Sequence, residues 1–222
     1  MLIEAVVCSR SDAVAAERAG ASRVEICVDI TTAGLTPPTD LVQAIRSAIK
    51  IPIVVMIRPR PGDYIFSEGE KAEMLEDITQ FAPLADALIF GALTEAGTLD
   101  AEFLRQMVER ASGKDCVIHR SIDSVPDFLT AVEAAIEIGF KRILTSGHAP
   151  DAYAGRFVLR ELQSRYGSQI EILPAGGIRA TNILEIIRDS GVNQVHLGPR
   201  KENILEIDDE ALRQVVSLTR AA

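Results

Sequence analysis

Short apolar runs alternate with longer amphipathic stretches along the whole chain. The runs, rich in Val, Ile and Leu, are Leu2–Val7, Arg23–Cys27, Ile53–Ile57, Ala87–Gly91, Cys116–His119, Arg142–Thr145, Glu171–Leu173 and Gln194–Leu197. They recur about every 27 residues, enough for a strand, a crossover helix and two loops. The stretches between them carry helix signals. Ser67-Glu68-Gly69-Glu70 reads as a capping box opening a helix that runs to about Phe81. Asp100 precedes Phe103, Leu104, Met107 and Val108 at helical spacing, and Asp208 stands likewise before Ala211, Leu212, Val215 and Val216. Gly20, Gly139, Gly167 and Gly191 fall where helices should end, and a helix after the seventh run is expected to be capped near Thr181. Eight equal βα units predict an α/β fold, a closed (β/α)₈ TIM barrel occupying residues 1–222 as a single domain. An open doubly wound sheet is the alternative.

Composition supports that reading. The 222 residues are 47% hydrophobic and 25% charged, ordinary values for a globular protein of this fold size. The net charge of −9, from 23 basic and 32 acidic residues, argues against a general nucleic-acid or anionic-membrane partner. No apolar stretch is long enough to span a bilayer, and Glu4 interrupts what would be a signal peptide. An odd number of cysteines without a C-x-x-C spacing is no disulfide framework. The expectation is a soluble, cytoplasmic protein, with homo-oligomerisation plausible for a barrel of this size.

Polar residues concentrate where runs end, which in such barrels is the mouth that carries function. Glu4 lies in the first run, which Cys8 directly follows, and Glu25 and Cys27 lie in the second. Arg58 and Arg60 follow the third, and His119 ends the fifth, with Arg120 and Asp123 after it. Ser146 and Gly147 follow the sixth, Gly176 and Gly177 the seventh, and His196 and Arg200 close the series. Strand residues alternate faces, so Glu4, Cys8, Glu25 and Cys27 are expected to point into the lumen. Buried carboxylates need compensation, for which Arg58, Arg60 and Arg120 are the candidates. Glu4 or Glu25 as base, His119 as acid or base, Arg58, Arg60 and Arg120 as charge stabilisers, and Asp123 beside them would suit lyase, isomerase or hydrolase chemistry. Gly176 and Gly177 at a strand-to-helix turn, with Ser146, Gly147, His196 and Arg200, form a candidate cradle for a small anionic or phosphorylated ligand. A structural ion-pair network plugging the barrel would use the same charges. Cys8 and Cys27 on adjacent strands about 4.8 Å apart would be placed to share a soft metal such as Cu(I), or simply to pack as buried hydrophobes. Cys116 has the parity of a packing residue.

The strand-end phrases together resemble the CutC family. They are Arg23-Val-Glu-Ile-Cys27, Gly34-Leu-Thr-Pro37, Met56-Ile-Arg-Pro-Arg60, Gly62-Asp63, Met74-Leu-Glu-Asp77, His119-Arg120 with Asp123, Arg142-Ile-Leu-Thr-Ser-Gly147 and Gly176-Gly177, in family order over residues 2 to 200. The resemblance implies a TIM barrel, a cytoplasmic location and a role in copper homeostasis, with copper attributed to two lumen cysteines. Three places depart from the family pattern. Glu4-Ala5-Val6 replaces Glu-x-Cys, so that the first cysteine comes two residues later, at Cys8. Thr32-Ala33-Gly34 replaces Glu-Gly-Gly, and Gly198-Pro199 replaces Ser-Ala after His196. A copper site of the family type then depends on Cys8 serving from the same face as Cys27.

Overall fold

The computed structural model describes residues 1–201 and 206–221. Eight strands lie in it: β1 Leu2–Val7, β2 Arg23–Ile26, β3 Ile53–Met56, β4 Ala87–Phe90, β5 Asp115–Ile118, β6 Arg142–Thr145, β7 Glu171–Pro174 and β8 Gln194–Leu197. Each is followed by a helix: α1 Arg10–Ala19, α2 Thr39–Arg46, α3 Glu68–Phe81, α4 Ala101–Arg110, α5 Phe128–Ile138, α6 Arg156–Tyr166, α7 Ile183–Ser190 and α8 Asp209–Ala221. Neighbouring strands pair in parallel in the order β7-β6-β5-β4-β3-β2-β1-β8. The last seam, between β7 and β8, is bridged by Gln194 donating to Glu171 at 3.3 Å. The result is a TIM barrel.

Local chemistry sets the elements. Ser67 and Glu70 form the reciprocal capping box of α3, and Asp100 accepts the Phe103 amide at the start of α4. The cap of α7 falls on Asn182, one residue beyond Thr181, and its side chain accepts the Arg179 amide. Helices α1, α5 and α7 end on Gly20, Gly139 and Gly191 in the left-handed conformation. Gly167 also ends a helix, but for want of space: a Cβ there would lie 2.4 Å from the Gln163 carbonyl oxygen. Cys27, Ile57 and His119 sit just past the strand ends, yet their amides still donate to Val7, Ile89 and Phe90 on the neighbouring strands. The apolar runs therefore extend one residue beyond regular strand.

Parity divides the sheet into two cores. One face packs against the helices and carries residues such as Ile3, Val24, Val55, Leu88 and Ile143. Cys116 belongs to this outer layer, buried, with its thiol donating to the Lys114 carbonyl at 3.5 Å. The inner face fills the lumen with Val6, Val54, Ile89, Val117, Leu144 and Leu173. Polar side chains lie at the closed end of the lumen, and a cavity lies at the open end.

Candidate functional site

The closed end is a chain of hydrogen-bonded charges. Arg23 on β2 pairs with Glu4 on β1 and donates to Gln194 on β8 at 3.0 Å. Glu171 accepts from Arg142 at 2.7 Å and from Gln194. Glu4 and Glu25 do point inward, but Arg23 and His196 compensate them, whereas the arginines after β3 and β5 were the expected partners. Parallel register explains this, because Glu4 lies opposite Arg23 on one side and His196 on the other. The signal was present in the chain: Arg23 shares parity with Glu25 and heads the same strand.

Above that network, Glu4, Glu25 and His196 place their ligand atoms within 4.8 Å of one another. Nδ1 of His196 lies 2.7 Å from Glu4 and 3.7 Å from Glu25. Burial pushes the Glu4 carboxyl up, but the His196 bond and the Arg23 charge overcome it and hold Glu4 at about 2. Burial dominates at Glu25, aided by the Glu4 charge, and lifts it to about 7. Its Oε2 is buried without a hydrogen-bond partner. Burial lowers His196, yet the two carboxylates reverse the shift and hold it above its ordinary range. The His196 bond and the Arg23 charge thus favour the ionised form of Glu4, while burial and the Glu4 charge favour the neutral form of Glu25.

Glu25 and His196 form part of the wall of a cavity of about 340 Å³ at the open end. Its other polar walls are Arg58, Tyr64, His119, Arg120, Arg179 and the Gly176–Ile178 turn. Arg58 follows β3, is 3% exposed, and donates to the carbonyls of Thr32 at 2.7 Å, Gly34 at 3.3 Å and Gly62 at 2.8 Å. Its guanidinium carbon lies 4.9 Å from the centre of the Tyr64 ring, and its Nε has no partner. The backbone around it is pinned by Thr36, whose Oγ1 accepts the Arg58 amide at 2.8 Å.

His119 caps the 3₁₀ turn Arg120–Ser124. Its Nδ1 accepts the Ser121 amide at 3.2 Å, so the neutral ring carries its proton on Nε2, which is buried and unpartnered. Burial, then the Arg58 charge, lower His119 to about 3. Gly91 makes room for it, since a Cβ there would stand 2.8 Å from the ring and 2.3 Å from the Ser121 hydroxyl.

Arg120 donates to Asp123 at 2.9 Å and to Ser146 at 2.8 Å. Asp123 also accepts the amides of Ser146 and His148, so Asp123 and Ser146 organise the loop after β6. Gly176 and Gly177 take φ of 94° and 68°, and Gly176 lies beside the Nη1 of Arg120. Among the described residues, no protein acceptor takes the amides of Gly176, Gly177 or Ile178.

Three expected participants lie elsewhere. Arg60 is bound by Glu70 at 2.6 Å and Asp63 at 3.0 Å, and lies over the Phe66 ring. It holds its own loop outside the cavity. Arg200 pairs with Asp12 at 3.0 Å rather than joining the glycine turn. Gly147 packs against the Gly155 backbone, where a Cβ would meet a carbonyl oxygen at 2.7 Å. The anion cradle expected from Ser146, Gly147 and Arg200 therefore does not assemble, and Arg120 and Arg179 stand beside the glycine turn instead. Tyr64 and Arg179 carried no strand-end signal, because long loops bring them over the mouth.

Arg200 reaches the cysteines. Its Nη2 lies 3.5 Å from the Cys8 sulfur, and the Cys8 and Cys27 sulfurs are 4.0 Å apart. The hydrogen bond from Cys27 lowers the Cys8 thiol, with Arg200 assisting, while the same bond and burial push Cys27 well up. Metal–thiolate bonds of about 2.3 Å let one ion bridge sulfurs up to about 4.6 Å apart, so the pair fits a soft cation. Glu4 fits a metal less well, being already engaged by Arg23 and His196.

The profile of the CutC family matches residues 1–201. This chain belongs to the CutC family. The family protein CutC of Treponema denticola is 40% identical over 200 residues, covering 90% of this chain and 81% of that protein. The mouse copper homeostasis protein cutC homolog is 38% identical over 201 residues, covering 90% and 74%. The crystal structure of CutC from Streptococcus agalactiae matches with a TM-score of 0.82 at 30% identity, covering 88% of this chain and 97% of that one. Phosphoribosylanthranilate isomerase from Thermotoga maritima, at 13% identity and a TM-score of 0.67, shares the barrel alone. CutC membership thus agrees with the resemblance of the strand-end phrases. Among the described residues no helix is long and apolar enough to cross a membrane.

Proposed function

We propose that this CutC-family chain acts in copper homeostasis, as the names of its mammalian relatives state for them, and takes up Cu(I) between Cys8 and Cys27. The sulfur separation of 4.0 Å carries the reading. Thiolates are the soft ligands that Cu(I) selects, and the Arg200 guanidinium favours the thiolate form of Cys8. Binding releases the Cys27 proton, which ties affinity to pH. All three cysteines are free, in keeping with a reducing cytoplasm. Anaerobic competition against a chromophoric Cu(I) chelator tests this: Cys8→Ser/Cys27→Ser should lower affinity about a hundredfold or more, from the loss of both soft ligands. Equal affinity in the double variant rejects the thiol site.

A second reading is favoured by the cavity itself. It accepts a small anionic or phosphorylated metabolite at the Gly176–Ile178 turn, beside Arg120 and Arg179, for lyase, isomerase or hydrolase chemistry. The unused amides of that turn support it. Titration with inorganic phosphate, followed by the amide resonances of Gly176 and Gly177, tests it; unmoved resonances at millimolar phosphate reject it.

A further inference from the structure

Arg58 presents an unusual balance of charge. It is almost wholly buried, yet all the hydrogen bonds of its guanidinium go to neutral carbonyls. Among the described residues it forms no ion pair, although a buried cation is ordinarily matched by an anion. Tyr64 offers its ring face, a weaker substitute. Arg58 and His119 both line the cavity, and each keeps one buried N–H without an acceptor, Nε and Nε2 respectively. A group with two acceptor oxygens and one negative charge suits a cation and a neutral donor that line one cavity. A carboxylate is that group. The Gly176–Ile178 turn, Arg120 and Arg179 line the same space, and among the described residues no protein acceptor takes the amides of that turn.

We propose that the cavity holds a small two-ended organic acid, its carboxylate on Arg58 and His119 and a phosphate or second carboxylate on the Gly176–Ile178 turn. The proposal rests on the second reading above and adds the end of the ligand that reading leaves open. Three features support it. The volume of about 340 Å³ lies at the small end of metabolite pockets. His119 stays neutral beside Arg58, so it donates to the carboxylate without adding a second buried charge. Arg58 is held by three carbonyls and Thr36, so its donor is set before a ligand arrives.

Calorimetric titration of the full chain tests this with 2-phosphoglycolate, L-malate, glycerol 3-phosphate and inorganic phosphate. 2-Phosphoglycolate or malate should bind about tenfold or more tightly than the ligands lacking a carboxylate, since a site built to bond a group rejects analogues without it. Which of the two binds more tightly identifies the second end as phosphate or carboxylate. Arg58→Gln and His119→Phe should each abolish that advantage while leaving phosphate binding intact. Should Arg58→Gln fail to fold, His119→Phe decides, together with the shift of the His119 Nε2 resonance on adding 2-phosphoglycolate to the unaltered protein. If all four ligands bind equally, or both variants keep the advantage, the carboxylate site is wrong while the anion-binding turn stands. If none binds at millimolar concentration, both readings fall.

Discussion

Nδ1 of His196 lies 2.7 Å from the Glu4 carboxylate, and this bond helps to separate the states of two buried acids on adjacent strands. Glu4, also paired with Arg23, is held at about 2, while Glu25, 3.7 Å from the same nitrogen, is left at about 7. Glu4→Gln removes the only carboxylate paired with Arg23 among the described residues. Truncating one partner of a buried pair costs roughly 3–5 kcal/mol. Urea denaturation should show that loss, and Glu4→Gln/Arg23→Met should recover part of it.

His119 is lowered to about 3 by burial, with Arg58 contributing. The unfolded chain binds the proton near the ordinary pKa of about 6.5 and the folded chain does not, so stability attributable to this ring falls as pH drops. Relative to His119→Gln, the unaltered protein should lose about 1 kcal/mol per pH unit between about 6.5 and about 3. Denaturation midpoints across that range check it, and a constant gap between the proteins refutes it.

Gly91 leaves no room for a side chain beneath the His119 ring. Gly91→Ala should displace His119 and Ser121 and cost about 1–3 kcal/mol, as overpacking does. The His119 resonances should shift more than those of His196, which a two-dimensional spectrum of the ring protons would reveal.

Ala33 has φ of 71°, the left-handed conformation, in a loop where the family pattern carries glycine. Glycine relieves a penalty of about 1–2 kcal/mol for a residue with a Cβ, less the entropy it adds to the unfolded chain. Ala33→Gly should raise stability by about 0.5–1 kcal/mol in a thermal melt. A drop would mean that the loop relaxes differently.

Cys8 is partly exposed with its thiol lowered by the Cys27 bond, whereas burial holds Cys116 at about 12 and Cys27 is raised further. Reactivity follows the thiolate fraction and access. Iodoacetamide at neutral pH should label Cys8 first, and Cys8→Ser should leave the folded protein nearly unreactive. Mass spectrometry of the labelled peptides reads the order.

Much of this architecture was legible in the chain. The spacing of apolar runs announced eight βα units, and Ser67 with Glu70, Asp100 and Gly139 marked helix boundaries, because these signals act over a few residues of backbone. Parity placed Glu4, Glu25 and Cys27 inside for the same reason: alternation is a local property of extended chain. Pairing between strands is different in kind. That Glu4 meets Arg23 and His196, that Arg200 reaches Cys8 rather than Gly177, and that Arg60 serves its own loop depend on register, barrel closure and the paths of long loops. Those relationships join positions as much as 192 residues apart, and no spacing along the chain encodes them. Only the closed sheet selects which charge neutralises which, and among the described residues it leaves Arg58 without an ion pair.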